Sequence, residues 1–357
     1  MRAAITRDKI LVVEEVPNPV PLDGQLLVRT LACGICGSDL HARSHPDAFM
    51  EITRRSGGTP FDPRDGLVFG HEYCGEIVGY GPNTQRTLPI GTIVCGPPLG
   101  LGPQGAGIIG YAPMFPGGFG EYMILNEGLT FAVPNGLDPK VAALTEPFSV
   151  AARAVGRASL AKDDVAIVLG LGPIGLGVVA SLKARGHGPV IAVDFSPTRR
   201  ALAGGLGADE LIDPALSSPY DRWQAHGVAV STIDRIAGEL LGGTARGSVI
   251  FECVGVPGML QQVIDGAPAG GKIMLVGVCM ETDAIEPGVA VSRELEIKGS
   301  FGAFPEEYGV TLHDIAEGRI DAGSIITGTV GLSGVAAAFE ELGHPDAHAK
   351  IVVDPRS

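Results

Sequence analysis

The chain is short of charge and of aromatic rings. Of its 357 residues only 18% are charged and 5% aromatic, with a single tryptophan. Basic residues never cluster beyond pairs such as Arg54-Arg55 and Arg199-Arg200, and the formal net charge is −14. Nucleic acids are gripped by concentrated positive charge, so no such partner is expected. Long hydrophobic runs are also missing. Although 45% of residues are hydrophobic, the longest apolar stretches, such as Val165–Leu171 and Ile273–Cys279, are strand-sized. They fall well below the roughly 18 residues of a membrane span, and no membrane partner is expected. The N-terminus meets charge at Arg2, Arg7 and Asp8, too early for a signal peptide, and a cytoplasmic location is expected. Six cysteines, at 33, 36, 74, 95, 253 and 279, are too sparse for a disulfide scaffold and should be reduced thiols. Glycine alone is abundant, at 53 residues, but without the period of collagen or a solenoid.

What is present falls into two textures. The first 150 residues read as short β segments broken by Gly and Pro: Ile10–Val16, Gln25–Ala32, Glu76–Tyr80, Thr92–Cys95 and Glu121–Leu125. Ser44–Asp65 and the Gly/Pro-rich Pro97–Gly120 read as long loops, a kind that is usually functional or mobile. From about Lys162 apolar runs alternate with helical segments. Asp164–Gly170 suits a strand buried on both faces, and Pro173–Arg185 a helix with Pro in its first turn and Gly186 beyond its end. Pro189–Asp194 and Ala208–Asp213 read as strands around a helix at Pro197–Gly205. Ser248–Gly255, Gly271–Val278 and Leu295–Gly299 supply three more. Strands alternating with helices imply an α/β, doubly wound parallel sheet. The tail carries helices at Glu306–Glu317 and Leu332–Glu341 and a closing strand, Lys350–Asp354. Too small to fold alone, it should pack on the first unit. The expected division is 1–148 with 300–357 as a β-rich unit, and 149–299 inserted into it.

Gly170-Leu171-Gly172-Pro173-Ile174-Gly175 matches G-x-G-x-x-G between a buried strand and a helix. The glycines allow a tight turn and close approach of a pyrophosphate, which the helix N-terminus then receives. Asp194 lies 24 positions after Gly170, where an acidic residue bonds the ribose hydroxyls and repels a 2′-phosphate. NAD is therefore expected over NADP, although Arg199 and Arg200 nearby could accommodate that phosphate.

Three other segments carry metal-binding chemistry: Cys33-Gly34-Ile35-Cys36-Gly37-Ser38-Asp39-Leu40-His41, Gly70-His71-Glu72 and Thr145-Glu146-Pro147. Singly, each has a plain reading: a core thiol, a hydrogen-bonded loop histidine, a first-turn carboxylate. A Cys33–Cys36 redox pair is a rival, but the βαβ context for one is missing. Taken together, one Cys, one His and one Glu suit a catalytic zinc with an open fourth position, their charges cancelling that of Zn²⁺.

In this order, Gly34–Asp39, Gly70-His71-Glu72, Glu146-Pro147 and the glycine fingerprint resemble the zinc-containing medium-chain dehydrogenase/reductase family. The likeness extends to Phe251–Gly255, Val276–Val278, Lys298–Ser300 and Ala349–Val353. It implies a GroES-like β-rich catalytic domain with an inserted Rossmann domain, and hydride transfer between a secondary alcohol or polyol and NAD. By that resemblance Cys36, His71 and Glu146 are the zinc ligands, and Glu72 approaches the metal when the ligands rearrange. Asp39 orients the ligand histidine. Gly170, Gly172, Pro173, Ile174, Gly175, Asp194, Arg199, Val254, Val276, Gly277 and Val278 bind the cofactor, and Lys350 faces its pyrophosphate. Ser38 takes the alcohol proton and hands it, through the cofactor ribose, to His41, whose pKa suits the task.

Two departures from the family pattern stand out. Pro97–Gly120 lacks the cysteines that hold a second, structural zinc in many relatives, so one zinc per subunit is expected. The 34-residue interval between Cys36 and His71 is long, and carries Arg43, Arg54, Arg55 and Arg64. It is either a recognition element for an anionic or bulky substrate, or a solvated loop. The partner is a small alcohol or carbonyl compound, and a homodimer or homotetramer is expected, through the edge near Leu295–Phe301. A zinc-free quinone or enoyl reductase, or a non-catalytic nucleotide-binding relative, is the alternative.

Overall fold

The computed structural model describes residues 1–58, 61–103, 105–344 and 346–357. Thr59 and Pro60 of the expected 44–65 loop, and Gln104 of the expected 97–120 loop, lie outside the described residues. The chain forms two units, Met1–Ser149 with Ala303–Ser357, and Val150–Gly302.

The first unit is built on a mixed seven-stranded sheet. Its strands run Phe131–Ala132, Ile93–Cys95, Glu72–Tyr80, Gln25–Gly34, Lys350–Val353 and Ile326–Val330, with Tyr122–Asn126 also on Gln25–Gly34. Gln25–Gly34 is the hub. Its last residue, Gly34, pairs with Glu72 on one side and Val352 on the other. The last strand of the chain is thereby set in mid-sheet, beside one of the first. Arg2–Arg7, Ile10–Glu15 and Asp65–Val68 make a second, three-stranded sheet. The core between them gathers Ile5, Leu26, Val28, Phe69, Phe119, Phe339 and Ile351, all buried. Each such side chain contributes about 1.5–3 kcal/mol of apolar burial.

The second unit holds six parallel strands in the order Glu210–Ile212, Val190–Val193, Val165–Leu169, Ser248–Glu252, Lys272–Leu275, Glu296–Gly299. In chain order that is 3-2-1-4-5-6, the dinucleotide-binding winding. Val165–Leu169 is buried throughout, as its unbroken apolar run requires.

Local corrections concern the two expected loops. A helix, Pro46–Arg55, occupies much of 44–65, with Pro46 starting it. It follows Gly37–Ser44, another helix not expected. Both are short, and in Pro46–Arg55 only Pro46 is buried, so no wide apolar stripe announces it. Within 97–120, Leu99–Gly102 and Gly105–Ile108 pair antiparallel. The expected tail helices appear as Pro305–Ala316 and Val335–Leu342.

Candidate active site

Strand Gln25–Gly34 delivers the chain to Cys36, which caps helix Gly37–Ser44. Asp39, three residues into that cap, reaches back and accepts the Cys36 N–H at 3.0 Å through Oδ2. Its other oxygen, Oδ1, lies 3.4 Å from His71 Nδ1. One fully buried carboxylate thus fastens the helix start and faces the imidazole. Gly34 leaves room for the Glu72 carboxylate, because a Cβ there would lie 2.0 Å from Glu72 Oε2 and force that side chain to move.

Among the described residues, Cys36, His71 and Glu72 form a group whose donor atoms all lie within 4.8 Å of one another. His71 and Glu72 are buried, and His71 Nδ1 makes no full hydrogen bond. Burial opposes charge on His71, yet the negative groups of Asp39 and Cys36 pull its pKa well above the ordinary histidine value. The imidazole stands where positive charge is demanded. The buried carboxylates of Asp39 and Glu72 and the thiol of Cys36 stand around this imidazole with the one ammonium of Lys350, a donor set that a divalent cation would complement. Sulfur, nitrogen and oxygen donors in one close group fit zinc.

Glu146 stays outside that group. It sits buried in the first turn of helix Thr145–Ala158, near enough for His71, Glu72 and Lys350 to act on its charge. Burial above all, with Glu72 and Asp39, pushes its carboxyl up to about 7, while His71 and Lys350 pull the other way. The trio that converges therefore contains Glu72 where the family resemblance implied Glu146.

Lys350 also differs from expectation. It does not present its ammonium outward for a pyrophosphate; it is 1% exposed and donates to Ile35 O at 2.8 Å and to Glu72 Oε1 at 2.6 Å. Burial disfavours an ammonium there, but Glu72, Cys36 and Glu146 outweigh it and raise its pKa. The physical reason is pairing: a buried carboxylate draws the nearest cation.

Tyr111, in the segment read as a loop, was not anticipated. Its hydroxyl donates to Asp39 Oδ1 at 2.7 Å and lies 2.8 Å from Ser38 Oγ. Its ring is 5.1 Å from that of His71 and is packed by Phe49, Phe61 and Phe69. The long interval thus sends Phe49 and Phe61 onto a residue that touches Ser38 and Asp39. Its arginines do other work. Arg43 pairs with Glu340, Arg54 with Glu51, and Arg64 with Asp62 and Asp47, so three of the four are already matched to carboxylates. His41 lies half-buried in helix Gly37–Ser44 beside His45, and burial, then His45, lower its pKa. Cys33 and Cys36 are both free thiols, and burial lifts the Cys33 pKa well above its usual range.

In the second unit, Gly170 has φ +83° and Gly175 abuts it so closely that a Cβ would lie 1.9 Å from Gly170 O. Gly172 caps helix Pro173–Ala184, which includes Ile174. Asp194 accepts the Leu171 N–H at 2.7 Å and the Ser196 N–H at 2.8 Å, which fixes its carboxylate at the glycine turn. Arg200 is engaged with the carbonyls of Asp194 and Phe195 and with Asp213; the Nε of Arg199 is buried without a hydrogen-bond partner. Val254 and Val278 are exposed at 40% and 50%, in turns that meet where Gly277 passes Gly255. Glu252 ties those turns, accepting from the amides of Val254 and Gly255 and, at its carbonyl, from those of Val276 and Gly277.

Residues 22–135 match the alcohol dehydrogenase GroES-like domain, and residues 173–317 match the zinc-binding dehydrogenase domain. (R,R)-Butanediol dehydrogenase of Bacillus subtilis (strain 168) is 31% identical over 353 residues, covering 96% of each chain. The chain belongs to the zinc-containing medium-chain alcohol dehydrogenase family. L-Galactonate-5-dehydrogenase of Escherichia coli (strain K12) is 30% identical, over 93% of this chain and 92% of its own. The crystal structure of 2R,3R-butanediol dehydrogenase from Bacillus subtilis superposes with a TM-score of 0.80, at 29% identity and 99% coverage of both chains. A zinc-binding dehydrogenase from Sinorhizobium meliloti 1021, solved bound to NADP, gives 0.79 at 27% identity, again over 99% of both. This family member is an oxidoreductase acting on CH–OH donors, with a GroES-like unit and a Rossmann unit. No helix among its described residues is long and apolar enough to cross a membrane.

Proposed function

We propose that the enzyme oxidises a secondary alcohol flanked by a second heteroatom-bearing carbon, with NAD as acceptor and one zinc per subunit. The relatives' names motivate the substrate class: butanediol, galactonate, threonine and sorbitol dehydrogenases each take a compound with a hydroxyl beside another polar carbon. The observation that carries the reading is the convergence of Cys36, His71 and Glu72 beside Asp39.

A zinc ion held by Cys36 and His71 with a carboxylate of Glu72 or Glu146 supplies Lewis-acid chemistry at the alcohol oxygen. The chain's own residues handle the rest. Asp39 keeps His71 oriented toward the metal. Ser38 accepts the alcohol proton, and His41, whose lowered pKa keeps it neutral at neutral pH, is the final acceptor. Gly170, Gly172 and Gly175 receive the pyrophosphate, and Asp194 binds the ribose diol. Val254 and Val276–Val278 border the nicotinamide.

Asp194 supports NAD, because a carboxylate repels a 2′-phosphate. NADP is favoured by the unpartnered Nε of Arg199 and by the NADP-bound relative. For assembly, the strand Glu296–Gly299 lies at the edge of its sheet, with Val291 and Phe301 exposed at 75% and 84%; a homodimer through this edge is our reading. A cytoplasmic location belongs to the same proposal.

The test is reduction of NAD and of NADP by purified enzyme against vicinal diols, amino alcohols, hexitols and aldonates, with zinc measured on the same sample. Turnover of a secondary carbinol with NAD at one zinc per chain is expected. Full turnover in a preparation stripped of metal would overturn the zinc role.

A further inference from the structure

Ser38 Oγ, Tyr111 Oη and Asp39 Oδ1 form a chain of hydrogen bonds, 2.8 Å and then 2.7 Å long. Counting protons along it gives each bond a direction. Asp39 is fully buried and its oxygens face only donors: Cys36 N–H on Oδ2, with the Tyr111 hydroxyl and His71 Nδ1 on Oδ1. An ionised carboxylate accepts only, and a phenol carries one proton. Burial first, then the negative charges of Asp39 and Cys36, hold the Tyr111 pKa well above its ordinary value, so the phenol keeps that proton. The proton is spent on Asp39. Tyr111 can then meet Ser38 only as an acceptor, and the bond between them must use the hydrogen of Ser38.

We propose that Tyr111 is a positioning residue that sets the direction of the Ser38 hydroxyl, turning its hydrogen away from the substrate and its lone pairs toward the alcohol. The inference rests on the reading of Ser38 as acceptor of the alcohol proton. A serine left to rotate freely would as readily donate to the alcohol oxygen, which opposes proton removal. Held by Tyr111, it meets the alcohol as an acceptor. As the alcohol proton arrives at Oγ, the original Ser38 hydrogen breaks its bond to Tyr111, swings to the onward acceptor and is released there, so one proton enters and one leaves. Tyr111 retains its own proton throughout.

The aromatic packing explains why the hydroxyl stays in place. Phe61 stacks on the Tyr111 ring with centroids 5.6 Å apart and planes 4° from parallel, while Phe49 and Phe69 meet it edge-on at 5.3 and 5.8 Å. Phe49 and Phe61 come from the long interval between Cys36 and His71. That segment therefore acts on catalysis through the orientation of one phenol.

Two measurements on the zinc-loaded full chain decide the proposal. Neutron diffraction of deuterated crystals locates the hydrogens. A Tyr111 deuteron on the Asp39 side, with the Ser38 deuteron aimed at Tyr111, is expected; a Tyr111 deuteron aimed at Ser38 overturns the proposal. The second is a cycle of Tyr111→Phe, Ser38→Ala and the double variant. Tyr111→Phe should lower kcat about tenfold or more, within the range of proton-transfer effects, and leave KM and the zinc affinity, read by chelator competition, within threefold. In the Ser38→Ala background the same change should cost less than twofold. An equal loss in both backgrounds, or a weakening of zinc beyond threefold, would mean that Tyr111 acts through Asp39 and His71, and the proposal fails. Should the unmutated enzyme oxidise none of the alcohols, the functional reading falls, while the neutron map still gives the direction of the bond.

Discussion

Glu72 and Lys350, 278 positions apart in sequence, share a buried ion pair with nitrogen–oxygen distances of 2.5 and 2.6 Å. Both side chains are shut off from solvent, at 0% and 1% exposure. The pair bears on the metal, because Glu72 is also one of the three converging donors.

Lys350→Met should leave Glu72 as an uncompensated buried carboxylate. Breaking one partner of such a pair costs about 3–5 kcal/mol. Chemical denaturation should register that loss without metal, and saturating zinc should restore part of it, since the freed carboxylate becomes a better ligand. A variant as stable as its parent would argue that the pair is not closed in solution.

Cys36→Ser and His71→Ala each remove a donor from the triad. Zinc content should drop to near zero and turnover with it, whereas NADH binding, followed by nucleotide fluorescence, should stay within about threefold because those residues lie in a different unit. Loss of nucleotide binding as well would point to misfolding instead.

Asp194→Ala removes the carboxylate fixed at the glycine turn by Leu171 and Ser196. The kcat/KM ratio of NAD to NADP should fall at least tenfold, about 1.4 kcal/mol. Removing Arg199 should shift the same ratio the other way. An unchanged ratio in Asp194→Ala would deny this residue a role in ribose recognition.

His41 titrates below the ordinary histidine value, by burial first and by His45 second. The neutral form accepts the proton, so alcohol oxidation should decline as pH falls through that lowered pKa, below about 6.5. His45→Gln removes a like charge, which should raise the pKa of His41 and carry the acid limb of the pH–rate profile to higher pH. His41→Gln should abolish the limb. A limb that ignores both substitutions belongs to some other group.

Much of the second unit is legible from sequence because its signals are local. The five apolar residues Val165–Leu169, the glycines at 170, 172 and 175, and Pro173 sit within a dozen positions and dictate strand, turn and helix directly. Residues of the first unit that carry chemistry were visible by type, yet not their partners. Glu72 meets Lys350 only because Gly34 pairs with both Glu72 and Val352, a register no local pattern encodes. Tyr111 reaches Asp39 across 72 positions from a glycine-rich segment without periodicity. Helix Pro46–Arg55 escaped notice because it buries little of its own surface. The four arginines of the interval between Cys36 and His71 suggested either recognition of an anionic or bulky substrate or a solvated loop, and three of them are paired with carboxylates.

Strand Lys350–Val353 lies between Gln25–Gly34 and Ile326–Val330, not at the rim of its sheet. One flank of strand Gln25–Gly34 is therefore closed only by a strand more than 300 positions further along the sequence. A chain released a dozen residues early would carry Cys36, His71 and Glu72 but have neither the closing strand nor the ammonium that neutralises Glu72. The packing around Cys36, His71 and Glu72 is thus tied to a segment from the far end of the sequence order, not to their own neighbours.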